Sequence, residues 1–139
     1  MATFNKFSCF KNDVGLKIHD LNSDVLKIYL SNDPPAAGDT VYNANGGVAN
    51  GPEDLATGGN YTAGGEDAQN TWAAGVLAGV DIVWTAVGAT IGPLQYAILY
   101  NFTAAGKNLI GWWDKGAPVT ASIGETITAD FGATILDIT

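Results

Sequence analysis

Two tryptophans stand side by side at positions 112 and 113, inside the strand-like run Leu109-Ile110-Gly111-Trp112-Trp113-Asp114. Neighbouring side chains on a β-strand point to opposite faces of the sheet, so one indole enters the core while the other looks away from it. A ring that buries 150–250 Å² when covered does not stay bare without cost. This strand therefore needs material on both of its faces: a second sheet, a ligand or another subunit. With no catalytic constellation elsewhere, a partner protein is the leading expectation.

The rest of the second half reads as a succession of strands. Residues 72–76 form a short one. Over 80–87, Ile82, Trp84 and Ala86 share a face. Leu94, Tyr96, Ile98, Tyr100 and Phe102 make the longest period-two line in the chain. Ala97 and Leu99 leave the opposite face partly apolar, which marks a central strand or one facing a subunit. Odd positions Val119, Ala121, Ile127, Ala129 and Phe131 are apolar, while Thr120, Ser122, Thr126, Thr128 and Asp130 are polar. A hairpin with the three-residue loop Ile123-Gly124-Glu125 keeps each class on one face and sets Ala121 opposite Ile127. A short strand over 134–138 closes the chain. Strands at this spacing predict a mainly β fold, an antiparallel β-sandwich or jelly-roll-like domain spanning 1–139.

Upstream, Phe4, Phe7, Phe10, Val14, Ile18 and Leu21 recur at spacings of three and four. This predicts one N-terminal α-helix over about 4–19, capped by Thr3, that lays a stripe on the sheet. A first strand follows at 24–31, with Leu26, Ile28 and Leu30 in line. Between 32 and 70 lie eight Gly, six Asn and three Pro, so this stretch reads as a long loop or arm, with 39–42 its best strand candidate.

Charge excludes several functions. Six Lys and no Arg face 14 acidic residues, giving a net charge of −8, and residues 28–106 carry no cation at all. Binding to nucleic acid or to an anionic membrane needs clustered cations, so neither partner is expected. Four of the Lys fall within the first 27 residues, leaving a mildly basic start on an acidic chain. No apolar run is long enough to span a membrane, since Asp81 splits the longest candidate, and no secretory signal opens the chain.

Chemistry-bearing groups are few. Cys9 is the only cysteine and His19 the only histidine, which removes intramolecular disulfides, four-thiolate zinc sites and two-histidine metal sites. His19 is expected in the helix's last turn in a structural role. Glycosidase-type carboxylate pairs are offered by Glu53-Asp54 and Glu66-Asp67, but a Gly-rich setting makes them solvated loop charges. No catalytic residue, cofactor or metal is therefore assigned, and the chain is expected not to be an enzyme. The aromatic set remains: Trp112, Trp113, Tyr96, Tyr100, Phe4 and Phe7 are the candidate interface residues, because large rings dominate interface centres.

The stretch Ile91-Gly92-Pro93-Leu94-Gln95-Tyr96-Ala97-Ile98-Leu99-Tyr100-Asn101, the paired-Trp run and Ile123-Gly124-Glu125-Thr126 resemble small virion proteins of tailed bacteriophages. Phe4-Asn5-Lys6-Phe7 and Asn60-Tyr61-Thr62-Ala63-Gly64-Gly65 are similar to them as well. The acidic region 66–81 departs from the pattern. The resemblance implies a capsid cement or decoration protein, made in the host cytoplasm and placed on the capsid exterior. Its implied partners are the major capsid protein and further copies of itself, as trimers. Alternatives are a tail or head-completion component, or a carbohydrate- or receptor-binding module that uses Trp and Tyr as stacking platforms.

Overall fold

The computed structural model describes residues 3–132 and 134–137. Its elements are β1 (Phe4–Lys6), α1 (Ser8–Gly15), β2 (Leu26–Ser31), β3 (Glu66–Asp67), β4 (Thr71–Ala73), β5 (Val76–Ala78), β6 (Ile82–Thr85), β7 (Ile91–Asn101), β8 (Leu109–Ala121), β9 (Thr126–Ala129) and β10 (Leu136–Asp137). The architecture is mainly β and antiparallel, sandwich-like, with one short helix near the N-terminus, as the strand pattern predicts. The principal sheet has the order β1-β8-β7-β2-β3, and two small sheets, β10-β5-β4 and β6-β9, complete the framework.

The principal sheet is apolar on both faces, and each face has its own cluster. Leu26, Ile28 and Leu30 of β2, Leu94, Ala97 and Leu99 of β7, and Ile110 and Trp113 of β8 join Leu77, Ile82, Trp84, Ile127 and Ala129 of the small sheets in the main core. On the opposite face Tyr29, Tyr96, Ile98, Tyr100 and Leu109 gather with Phe7, and Cys9, Tyr42 and Trp112 pack against them. β7 lies between β8 and β2, which explains why both of its faces are apolar.

Four expectations are corrected here, the simplest being the strand over 72–76, which is instead the two paired strands β4 and β5 joined by a turn at Ala74-Gly75. The helix does not run over 4–19: Phe4-Asn5-Lys6 is a strand, α1 covers only eight residues, and Phe7 rather than Thr3 occupies its N-cap position without a side-chain cap. The three-and-four spacing of the apolar residues spans a strand-to-helix junction. Phe10 and Leu21 are buried, whereas Val14 is exposed and His19 lies beyond the helix. The long line in β7 is broken as well: register shifts on either side of Leu94 turn it into the main core, while Tyr96, Ile98 and Tyr100 face the other way. A β-bulge costs one residue of alternation, and a period-two pattern does not announce it.

The last correction concerns pairing. Ala121, Ile127, Ala129 and Phe131 are buried as the alternation requires, but Val119 is exposed and β9 is not the hairpin partner of β8. It pairs with β6, setting Trp84 opposite Ile127 and Val83 opposite Thr128. The turn at Ser122–Glu125, closed by Glu125 N–H donating to Ser122 O at 2.8 Å, carries the chain from the large sheet to the small one. Alternation records which side chains are buried, not which backbone receives the hydrogen bonds. The final strand is β10; Ile138 of the expected 134–138 segment lies outside the described residues.

Candidate interaction surface

β1 holds the tandem tryptophans. It pairs with β8 so that Phe4 opposes Trp113 and Asn5 opposes Trp112. The Phe4 ring lies 4.9 Å from Trp113, on the main-core side, where Phe131 stacks on the same indole at 5.1 Å. Phe7, the residue after β1, crosses to the other face and covers Trp112 at 4.5 Å. The two indoles do face opposite ways, and their cover is intramolecular. Gly111 makes this possible, because a Cβ there would stand 2.2–2.4 Å from carbons of the Phe4 ring and 2.5 Å from Asn5 O.

Of the six expected interface residues, Phe7, Tyr96, Tyr100 and Trp113 are therefore interior, while Phe4 and Trp112 are partly buried. The tyrosines serve an internal interface. Tyr42, from the 32–70 segment, stacks on Tyr100 at 4.9 Å and meets Tyr29 edge-on at 5.0 Å. Tyr29 OH donates to Pro52 O at 2.9 Å and Tyr100 OH to Gly64 O at 2.7 Å, fastening the segment to the sheet. The segment itself holds only isolated bridges, among them Val41 with Asn108 and Asn43 with Glu53, before β3 begins.

At its centre is Asp54, which sequence reasoning assigned to solvent. It is 1% exposed, and its carboxylate accepts from Tyr61 OH at 2.5 Å, Gly64 N–H at 2.6 Å and Tyr42 OH at 2.7 Å. Burial pushes its acidity toward higher pH, opposed by those three donors. The same burial, with the neighbouring carboxylate, raises the Tyr61 and Tyr42 hydroxyls. The only sequence signal was Tyr42 and Tyr61 flanking Glu53-Asp54. Glu53, by contrast, is spent on the turn at Gly46, whose N–H it receives at 2.8 Å.

His19 and Cys9 are likewise turned inward. His19 packs on Phe10 at 5.4 Å, its Nδ1 lies 3.1 Å from Asn101 Nδ2, and its Nε2 is 3.9 Å from Asp13. Since an amide nitrogen is a donor, Nδ1 accepts and Nε2 carries the proton. That Nε2 and Trp84 Nε1 are the buried polar side-chain atoms without a partner among the described residues. Desolvation holds the imidazole below its usual range, against the pull of Asp13 and Asp24. The Cys9 thiol points toward carbonyl oxygens of Leu109, Asp39 and Thr40, and burial, with the Asp13 charge next, pushes it up to about 11. Among the described residues no three His, Cys, Asp or Glu side chains are grouped to hold a metal ion, and no helix is long and apolar enough to cross a membrane.

Three concavities on the surface of the described residues could receive a partner. A cleft of about 550 Å³ opens between β8 and β9, floored by Trp113 and Phe131 and rimmed by Asp114, Lys115 and Asp130. A groove of about 510 Å³ beside α1 combines Phe7, Phe10 and Val14 with Lys6 and Lys11. A polar groove of about 340 Å³ lies at the far edge of the sheet, where Glu66, Asp67 and Asp81 meet Asn60 and Val83. No family model, curated protein or solved structure matches this chain.

Proposed function

We propose that this chain is a non-enzymatic structural protein of a tailed-bacteriophage virion, a cement or decoration protein that binds the exterior of a shell of major capsid protein and self-associates, as trimers. The observation that carries the reading is the place of the resembling stretches. Residues 91–101 and 109–114 are β7 and the start of β8, the adjacent strands on which both apolar clusters are built. The longest stretches of the likeness thus lie in the framework, while the shorter ones at 60–65 and 123–126 lie mostly on loops and turns.

Charge and packing support the same reading. An excess of carboxylates without Arg suits a protein that meets other proteins and avoids nucleic acid. Asp54, His19 and Cys9 are committed to internal contacts. Stacking on sugars requires an open ring face, yet Trp84 and Trp113 are buried and Phe7 covers Trp112. On a repeating shell, many modest contacts act together, since simultaneous engagement raises avidity. The test is co-sedimentation with expanded capsids that lack this protein. Saturable binding with protection of the shells against heat is the expected result; binding to a glycan array with none to shells overturns it.

A further inference from the structure

We propose that the two edges of the principal sheet are complementary halves of one head-to-tail contact, the β1 edge of one copy receiving the β3 edge of the next. The inference rests on the self-association proposed above and names the surfaces that carry it.

Both edges have unpaired backbone. In an antiparallel ladder, hydrogen-bonded and non-bonded residue pairs alternate, and the non-bonded residues turn their N–H and C=O outward. Phe7 N–H donates to Ile110 O, which fixes the phase of β1 and leaves the main-chain groups of Phe4 and Lys6 facing away from β8. Ala68 N–H donates to Leu26 O, which leaves those of Asp67 facing away from β2. Open edges of this kind are templates for another strand.

Charge then selects the partner. The β1 edge presents exposed Lys6, with Lys11 beside it in the α1 groove, and neither forms an ion pair among the described residues. The β3 edge presents exposed Glu66 and Asp67, with Asp81 and the exposed Val83 in the adjoining groove; Lys27, opposite Asp67 on β2, directs its ammonium over the Phe102 ring and forms no ion pair with these carboxylates among the described residues. Two β1 edges brought together would oppose lysine to lysine, and two β3 edges carboxylate to carboxylate. Like edges repel and unlike edges attract, so the contact is heterologous, the kind that generates rings when its rotation closes. Exposed apolar surface is present on both sides, Val14 at one groove and Val83 at the other, so a docked pair buries more than charge.

The test uses the whole protein and two exposed double variants, Lys6→Glu with Lys11→Glu and Glu66→Lys with Asp67→Lys. Sedimentation velocity is expected to show oligomers for the wild type that weaken with added salt, because surface charges are screened over about 8–10 Å. Each variant alone is expected to be monomeric with an unchanged circular dichroism spectrum, and an equimolar mixture of the two to reassociate. A wild type that is monomeric at every concentration, a variant that still self-associates, or a mixture that stays monomeric overturns the contact. Should either double variant fail to fold, Lys6→Cys protein mixed with Asp67→Cys protein gives the second reading. A short bis-maleimide is expected to join them, and absence of the product overturns the proposal. Shell binding is measured separately. Monomers that still coat shells refute the contact and spare the cement reading, while head-to-tail oligomers that ignore shells do the reverse.

Discussion

The ring of Phe4 rests over Gly111, which has no side chain to hold it away, and this places β1 across both tryptophans at once. Gly111→Ala is expected to push β1 off β8 at a cost of about 1–3 kcal/mol, the usual penalty for overfilling a packed site. The check is urea unfolding together with tryptophan fluorescence. Red-shifted emission in the folded variant is expected, as Trp112 and Trp113 lose Phe7 and Phe4. An unshifted spectrum with wild-type stability contradicts it.

Asp54 holds the 32–70 segment to the sheet through three donors. Asp54→Ala leaves Tyr61 OH, Tyr42 OH and Gly64 N–H without their acceptor in a buried setting, with an expected loss of about 3 kcal/mol or more. Tyr42→Phe removes one hydrogen bond to a charged group and is expected to cost about 1.5–3 kcal/mol. Limited proteolysis should cut first within residues 44–50, which are all exposed.

The two buried titrating groups act on stability with opposite signs. His19 has a folded pKa below its ordinary 6.5, so the unfolded chain takes up the proton more readily. Its contribution is complete above pH 6.5 and is lost as pH falls through the lowered folded value. Asp54 is raised above 3.8, so its contribution is complete below that value and is lost as pH rises through the raised one. His19→Gln, whose side-chain oxygen can still accept from Asn101, is expected to flatten the decline below pH 6.5 in chemical denaturation measured across pH. An unchanged decline refutes the assignment.

Strand pairing at the β9 corner is open to a chemical check. Val83 and Thr128 are directly opposed and both exposed, and opposed Cβ atoms in antiparallel pairs lie about 4.5–5.5 Å apart. Val83→Cys with Thr128→Cys should therefore form a disulfide under mild oxidation. Thr120→Cys with Thr128→Cys, the pair that a β8–β9 hairpin would join, should not. Thiol titration of the two variants distinguishes the topologies.

Cys9 should be slow to alkylate. Raising a thiol from 9.0 to about 11 lowers its thiolate fraction at pH 8 about a hundredfold, and only the thiolate is nucleophilic. Iodoacetamide labelling followed by mass spectrometry is expected to be slow in buffer and fast in urea. Equal rates in the two conditions overturn the burial argument.

The sequence made fold class and much of the burial legible because alternation reports environment directly. Leu26, Ile28 and Leu30, then Ile82, Trp84 and Ala86, then Ala121, Ile127 and Ala129 all lie in the main core. Alternation is silent on partners, so the β9 pairing with β6 was hidden. It also loses count at a bulge, which misplaced Leu94 relative to Tyr96. The N-terminal error has a different cause: an apolar residue every third or fourth position fits a helix, and it equally fits Phe4 on one face of a sheet and Phe7 on the other. The candidate surface was the least legible part. Aromatic content locates rings but not their covers, and here the covers, Phe7 and Tyr42, come from segments far away in the sequence. Asp54 was missed because a Gly-rich neighbourhood looks solvated until Tyr61 folds over it.

β1 precedes its ladder partner by most of the chain and is joined late. Its ladder partners, residues 111–113, stand about a hundred positions downstream, so on the ribosome Phe4 and Phe7 emerge long before there is a strand to receive them. Closure must wait until β8 has been synthesised and has formed its ladder with β7. The β1 segment thus spends the synthesis of the residues between it and β8 sticky and unpaired. Chaperones have their opportunity in that interval, and seating of this clasp is expected to be the last step of folding.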